Sequence, residues 1–307
     1  MRRNPSGLYR VLAGMPLAAR ADPDVSVLTP SYGYGRFIRD ALESVGRQQG
    51  VVVEHIVQDA GSQDETIEIL RRQQGRLRWR SEPDRGQSDA LNKALQLARG
   101  RWIAWLNADE FYLPGALHRL VATGDRSGAD VVFSDAAYVD ADGKLLRLAP
   151  QHGYSRFLLR HYGIYIPSCG TVFRRSFLGE NPWDVEIKRV MDWDIYLRLD
   201  SRGARFTHVA YPAAGYRIHE EQITAQPREL FASDRQAVRL RYGIPGRRLK
   251  KPARVLHAFY KLGSGAYRKQ FIGWRMRGTD LRWVRPDVGP KGVSDLIKRC
   301  YGDDWAS

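Results

Sequence analysis

VSVLTPSYGYGRFIRDALESV, residues 25–45, sets the pattern for the first third of the chain. Val25–Thr29 reads as a short apolar strand ending at Pro30. Phe37, Ile38, Ala41, Leu42 and Val45 then recur at helical spacing, with a stop near Gly50. The unit repeats downstream. Val51–Gln58 (VVVEHIVQ) is a second strand, and Ser62 with Glu65 forms an S-x-x-E capping box ahead of Ile67, Ile69 and Leu70. Leu77–Arg80 is a third strand, followed by an amphipathic helix through Ala90, Leu91, Ala94, Leu95 and Ala98 that Gly100 ends. Trp102–Leu106 (WIAWL) is apolar without alternation, as a central strand buried on both faces should be. This alternation predicts an α/β fold, a mostly parallel sheet with helices on both faces.

Ligands on such sheets sit at the carboxyl ends of the strands. Three of those ends carry polar clusters: Thr29–Tyr32, Asp59–Asp64 and Asn107–Glu110. A carboxylate at the end of a buried strand is costly unless it meets a cation or a donor. Asp109 suits a hard divalent ion shared with substrate phosphates, with Asn107 or Glu110 assisting, and it suits equally a helix cap for 114–121. Beyond Pro114 the pattern changes. Asp130–Val139 and Lys144–Leu148 predict a hairpin around Asp142-Gly143, and residues 151–231 mix short strands with a helix near Asp192–Leu199. No GxxxxGK[ST], HExxH or GxSxG motif occurs, and the GxG at Gly33 and Gly35 lacks the third glycine of a dinucleotide loop.

Composition narrows the class further. At 43% hydrophobic and 11% aromatic over 307 residues, the chain has ample material for a core. No uncharged apolar run approaches the roughly 20 residues of a membrane span. Cys169 and Cys300 show neither CxxC spacing nor a disulfide ladder, which points to a reducing compartment. The net charge of +15 is unevenly spread: residues 241–307 hold 16 Lys/Arg against 5 Asp/Glu, leaving 33 against 29 for the rest. A basic end of this kind meets an anionic surface. Arg2, Arg3 and Arg10 ahead of Val11–Ala19 have the outline of a signal peptide, but Gly14 and Pro16 interrupt it, so residues 1–23 are expected to be a leader or docking arm.

Four blocks, in order and at family spacing, give the chain a resemblance to family 2 glycosyltransferases of GT-A (Rossmann-like) fold, of the bacterial polysaccharide and glycolipid type. They are VSVLTPSYGYGRFIRDALESV (25–45), HIVQDAGSQDETIEIL (55–70), SEPDRGQSDALNKAL (81–95) and WIAWLNADEFYLPGAL (102–117). IPSCGTVFRR (166–175), VMDWDIYLRL (190–199) and YRIHEEQIT (216–224) resemble the acceptor-side motifs. The resemblance implies a glycosyltransferase domain over 24–231, with a nucleotide-sugar half (24–122) and an acceptor half (123–231), then a basic helical extension over 232–307.

It also implies an inverting, single-displacement transfer from a nucleoside-diphosphate sugar. Thr29, Pro30 and Tyr32 would line the nucleoside, partly through backbone groups, and Asp59 matches the first Asp of the DDGS-type motif. The second acid is Ala60 here, a departure that removes the usual carboxylate contact to the base. Asp84, Arg85 and Lys93 fall beside the donor, and Asn107-Ala108-Asp109 occupies the D-x-D position, with Asp109 and His219 as ligands of Mn²⁺ or Mg²⁺. Asp192 matches the general base, with Asp194 its rival; residues two apart on a helix point about 200° from one another, so the two do not share a site. Arg217 pairs with phosphate or with an acid, and Trp183 and Trp193 stack on sugar or pack in the core.

The expected acceptor is a glycan or lipid-linked sugar, reached in the cytoplasm at the inner face of the membrane. Residues 241–278 would meet an anionic bilayer, and no nucleic acid is expected. The alternatives are a non-catalytic GT-A-like assembly subunit, which Ala60 keeps open, and a nucleic-acid-binding protein using the basic tail. A nucleotidyltransferase would show a Gly-rich basic loop that Ser31–Arg36 does not supply.

Overall fold

The computed structural model describes residues 22–282 and 297–301, apart from 74, 76, 228, 247 and 248. The leader, but for its last two residues, and residues 283–296 and 302–307 of the basic extension therefore lie outside the described residues. The first half follows the alternation: β1 (Val25–Ser31), α1 (Gly35–Gly46), β2 (Val53–Asp59), α2 (Thr66–Arg72), β3 (Arg78–Ser81), α3 (Gln87–Leu97) and β4 (Trp102–Trp105). These strands lie in the order β3-β2-β1-β4 and are all parallel, with Val25 opposite both Val53 and Trp102. Alternate residues feed opposite faces. Val25, Val27, Trp102 and Ala104 pack with Ala41 and Val45 of α1, whereas Leu28, Ile56 and Ile103 pack with Leu91 and Ala94 of α3. Burial on both sides is why these strands read as continuous apolar runs.

The second half adds β5 (Phe111–Tyr112), α4 (Ala116–Ser127), β6 (Val131–Val139), β7 (Leu145–Ala149), α5 (Arg156–His161), β8 (Thr171–Arg174), α6 (Arg175–Leu178), α7 (Met191–Ser201) and β9 (Phe206–Arg217). The sheet continues β4-β8-β6-β9-β5, with β7 on β6. Here the parallel character ends. β8 runs antiparallel to both β4 and β6, and β5 to β9, while β6 and β9 are parallel. Short returns and a hairpin permit antiparallel neighbours, where the first half has a crossover helix at each step. The β6–β7 hairpin turns through Gly143, whose φ of +77° suits glycine.

One local expectation is overturned. Ser62 and Glu65 do not form a capping box: α2 begins at Thr66, and Asp64 Oδ1 takes the Thr66 N–H at 3.0 Å. Ser62 instead donates to Asp59 Oδ1 at 2.5 Å and accepts the Gly33 N–H at 2.8 Å, stitching the β2 loop to the β1 loop. The motif has the right letters, but a tertiary partner takes its hydroxyl.

The extension is helical, as α8 (Leu230–Arg241), α9 (Lys250–Gly263) and α10 (Ala266–Arg275). α10 lies on β7 at Gly273, where a Cβ would come within 2.8 Å of Leu148 Cγ. Among the described residues no helix is long and apolar enough to cross a membrane.

Candidate active site

The carboxyl ends of β1, β2 and β4 form one edge, and β9 closes it from the far side of the sheet. Thr29 turns its side chain inward, Oγ1 lying 2.9 Å from His55 Nε2, and Pro30 is buried beside it. Burial lowers the His55 pKa to about 3, so this imidazole is neutral. Tyr32 stands out into solvent, 66% exposed. Asp59 is wholly buried, and its carboxylate is taken up by the loop itself: Oδ2 accepts from the Gly61 and Ser62 N–H groups and from Ser81 Oγ, and Oδ1 from Ser62 Oγ. It therefore fixes the loop's shape, and Ala60 beside it offers no carboxylate. Asp84 caps the Gly86 N–H, and burial raises its carboxyl pKa. Arg85 faces Asp89, and Lys93 donates to Pro83 O at 2.9 Å and pairs with Glu82, so these contacts knit loop 82–86 to α3.

The turn after β4 is built by its own side chains. Asn107 Oδ1 accepts from Trp105 Nε1 (2.7 Å) and Gln87 Nε2 (2.5 Å), and the Asn107 N–H donates to Glu110 Oε2 at 2.9 Å. Ala108 packs under α1 with Ile38 and Leu42. With Asn107 and Ala108 held, Asp109 is turned toward β9. His219 Nε2 lies 2.9 Å from Asp109 Oδ2, and Arg217 Nε donates to the Asp109 carbonyl at 2.8 Å. Asp109 is thus no cap for α4, which begins past Gly115.

Arg217 is fully buried and binds Asp40 Oδ2 and the Ala141 carbonyl. Its fork is filled by protein, so it is no phosphate ligand. The His219 ring rests on Phe37 (centroids 4.6 Å) and meets the edge of Tyr34 (5.9 Å). Tyr34, Phe37 and Asp40 carry no motif that would mark them. Their placement beside His219 and Arg217 depends on pairing across nearly the whole domain.

The site's electrostatics are those of crowded acids. Glu110 is buried with Oε1 unpartnered, and desolvation, then the charge of Asp109, pushes its pKa up to about 8. Asp192, partly buried at the start of α7, is raised to about 6 by desolvation, and its charge is felt at Glu110. Asp194 faces elsewhere. It pairs with Arg198 (3.0 Å) and Arg241 (2.8 Å) and accepts from Tyr242 Oη, bolting α8 to α7. Trp183 and Trp193 are core residues, 1% and 5% exposed.

Among the described residues no group of three or more His, Cys, Asp or Glu side chains could hold a metal unaided. Asp109 and His219 nevertheless converge, and His219 Nδ1 is buried without a partner. A carboxylate and an imidazole suit a divalent ion that takes its other ligands from water and substrate phosphates, so the residues fit such an ion as a substrate-completed site.

A mixed sheet with helices on both faces and an acidic, loop-built centre at its carboxyl edge is the Rossmann-like GT-A architecture. Residues 26–180 match the model for glycosyl transferase family 2, and the chain belongs to that family; it is a glycosyltransferase. Succinoglycan biosynthesis protein ExoO of Rhizobium meliloti is 28% identical over 267 residues, covering 80% of this chain and 76% of its own. A PGL/p-HBAD biosynthesis glycosyltransferase of Mycobacterium bovis is 28% identical over 203 residues, with 62% and 75% covered. Among solved structures, S. aureus TarS 1–349 in complex with UDP-GlcNAc shares the fold at TM-score 0.59 and 16% identity, covering 90% of this chain and 81% of that one. Mannosyltransferase PcManGT from Pyrobaculum calidifontis, in complex with GDP-Man and Mn²⁺, aligns at TM-score 0.50 and 15% identity, covering 98% and 76%.

Proposed function

We propose that the enzyme is a metal-dependent, inverting glycosyltransferase that moves a sugar from a nucleoside-diphosphate sugar to a hydroxyl of a glycan or lipid-linked acceptor. The observation that carries this reading is the convergence of Asp109 and His219 at 2.9 Å on the strand edge where Asp59 and Asn107 shape the loops. TarS and PcManGT, bound to UDP-GlcNAc and to GDP-Man with Mn²⁺, support the donor class by analogy.

In this reading Thr29, Pro30, Tyr32 and the Asp59 loop receive the nucleoside. Asp84, Arg85 and Lys93 line the donor's flank, and Asn107 and Ala108 hold the turn that presents Asp109. A Mn²⁺ or Mg²⁺ ion held by Asp109 and His219 would offset the charge that develops on the leaving diphosphate. Asp192 takes the proton of the attacking hydroxyl. A carboxyl whose pKa burial has raised to about 6 is a stronger base than an exposed one and is still ionised at neutral pH. Asp194, saturated by two arginines and a tyrosine, is not free for that task. The acceptor is met in the cytoplasm at the inner face of the membrane, with residues 241–278 toward anionic lipid.

Calorimetry with UDP, GDP and dTDP, each with and without Mn²⁺, tests the donor site. One diphosphate should bind only with the metal and be lost in Asp109→Ala. Absence of binding by all three would overturn the reading.

A further inference from the structure

α9 and α10 are amphipathic in the wrong direction for a helix that only packs on its own domain. Nine of the fifteen exposed large apolar side chains among the described residues fall between Leu240 and Trp274. On α9, Val255, Phe259 and Leu262 are exposed by 57, 66 and 67%; on α10, Tyr267, Phe271 and Trp274 by 47, 59 and 61%. Both sets have the spacing i, i+4, i+7, one stripe along a helix. The protein-facing sides hold Ala253, Leu256 and His257 on α9 and Ala266, Ile272 and Gly273 on α10, so these exposed stripes are additional to the residues that pack on the domain. The Phe271 and Trp274 rings stack on one another in the open, with centroids 6.2 Å apart.

Cations border both stripes. Lys251 and Arg254 are exposed on α9, as are Arg268 and Arg275 on α10. No Asp or Glu occurs between Asp234 and Asp280, a stretch that holds 13 Lys/Arg. A water-facing surface gains nothing from such a stripe, and burying it against an apolar partner is favourable in proportion to the apolar area removed from water. Aromatic and aliphatic residues at helical spacing, flanked by Lys and Arg, match the boundary between headgroups and acyl chains of an anionic bilayer. A nucleic acid would use the cations and stack on the aromatics, but it leaves Val255 and Leu262 in water.

We propose that α9 and α10 form a membrane-docking face, in which the two apolar stripes enter the surface of an anionic phospholipid bilayer and the flanking Lys and Arg pair with lipid phosphates. This deepens, and rests on, the membrane part of the proposed function. It is independent of the transfer chemistry, because none of these residues belongs to the active site.

The test is co-sedimentation of the full chain with sucrose-loaded vesicles of phosphatidylcholine alone or with one-third phosphatidylglycerol. Binding should favour the anionic vesicles by roughly tenfold or more and weaken with salt. The triple variant Phe259→Ala, Phe271→Ala, Trp274→Ala should lose roughly tenfold or more of that binding. Since the three side chains are exposed, its circular dichroism should match wild type. Arg268→Gln with Arg275→Gln should erode the preference for phosphatidylglycerol and leave the weak binding to phosphatidylcholine alone. Asp109→Ala should bind vesicles like wild type while losing nucleotide, so the two readings fail separately. The proposal is overturned if wild type does not sediment with anionic vesicles, or if the triple variant binds them equally. It is also overturned if sedimentation velocity shows the stripes consumed in self-association, or if single-stranded RNA binds the chain in preference to vesicles.

Discussion

Arg217 at the end of β9 grips Asp40 of α1, Nη2 lying 2.6 Å from Oδ2 across 177 residues of chain. The same guanidinium holds the carbonyls of Asp109 and Ala141, so one side chain joins α1, the turn after β4 and the tip of the β6–β7 hairpin. The arrangement works because a guanidinium offers five donors in a fixed fork.

Replacing Arg217 by Ala leaves the Asp40 carboxylate, 15% exposed, without its partner, and should cost about 3 kcal/mol in urea unfolding. Arg217→Lys should not restore the loss, since one ammonium cannot span three separate acceptors. Full stability in either variant would refute the clamp.

For Asp192, the raised pKa gives the sign of a pH profile. A general base must be ionised, so the rate should climb as pH rises through about 6 and level off above it. Asp192→Asn should lower the transfer rate by about a hundredfold or more and remove that limb, with nucleotide binding intact. A profile that keeps the limb in the variant assigns it to another group.

Asp194→Ala should behave differently. It breaks the pair with Arg198 within α7 and the ties from α7 to Arg241 and Tyr242, and should cost about 2 kcal/mol of stability, discounted because both arginines are partly solvated. In the fraction that stays folded, the pH profile should match wild type. A vanished acidic limb would instead make Asp194 the base.

His219→Ala removes one of the two side chains that could ligate the ion. The Mn²⁺ concentration needed for half-maximal nucleotide binding should rise about tenfold or more, measured by calorimetry across a metal series. No change would leave His219 as packing against Phe37 alone.

Ser62→Ala deletes a hydroxyl used in two bonds, one to Asp59 and one from the Gly33 N–H. About 1–2 kcal/mol of stability should be lost, and donor affinity should fall if the β1 and β2 loops form the proposed nucleoside site, because their tie is cut. Thermal melts with and without nucleotide separate the two effects.

What is legible in the chain divides along contact range. The order β1 to β4 and the helices between them follow from local period and burial, and they are legible from Val25 to Leu106. The hairpin was legible too, because Asp142-Gly143 is a turn signal on its own terms. The Ser62–Glu65 motif misled because a local pattern says nothing of a competing partner 29 residues upstream, the Gly33 N–H. Of the active centre, the acidic turn and His219 could be picked out by motif. Tyr34, Phe37 and Asp40 could not, since their roles arise only when β9 returns beside α1. The interleaved aromatics of 249–274 were visible as composition. Which way they face was not, for apolar residues lie on both sides of α10: Ile272 packs inward beside Ala266 and Gly273, while Tyr267, Phe271 and Trp274 face out.

The β6–β7 hairpin has a second role beyond filling the sheet. Its tip carbonyl, at Ala141, is held by the arginine that also grips the Asp109 backbone, and its outer strand carries α10 closely packed through Gly273 and Leu148. The candidate reaction centre and the outward aromatic stripe are therefore tied to one hairpin. In the proposed docked state, with the stripe seated in lipid, that hairpin would set the height of the reaction centre above the bilayer, so that acceptor hydroxyls would be selected by that height as well as by their chemistry.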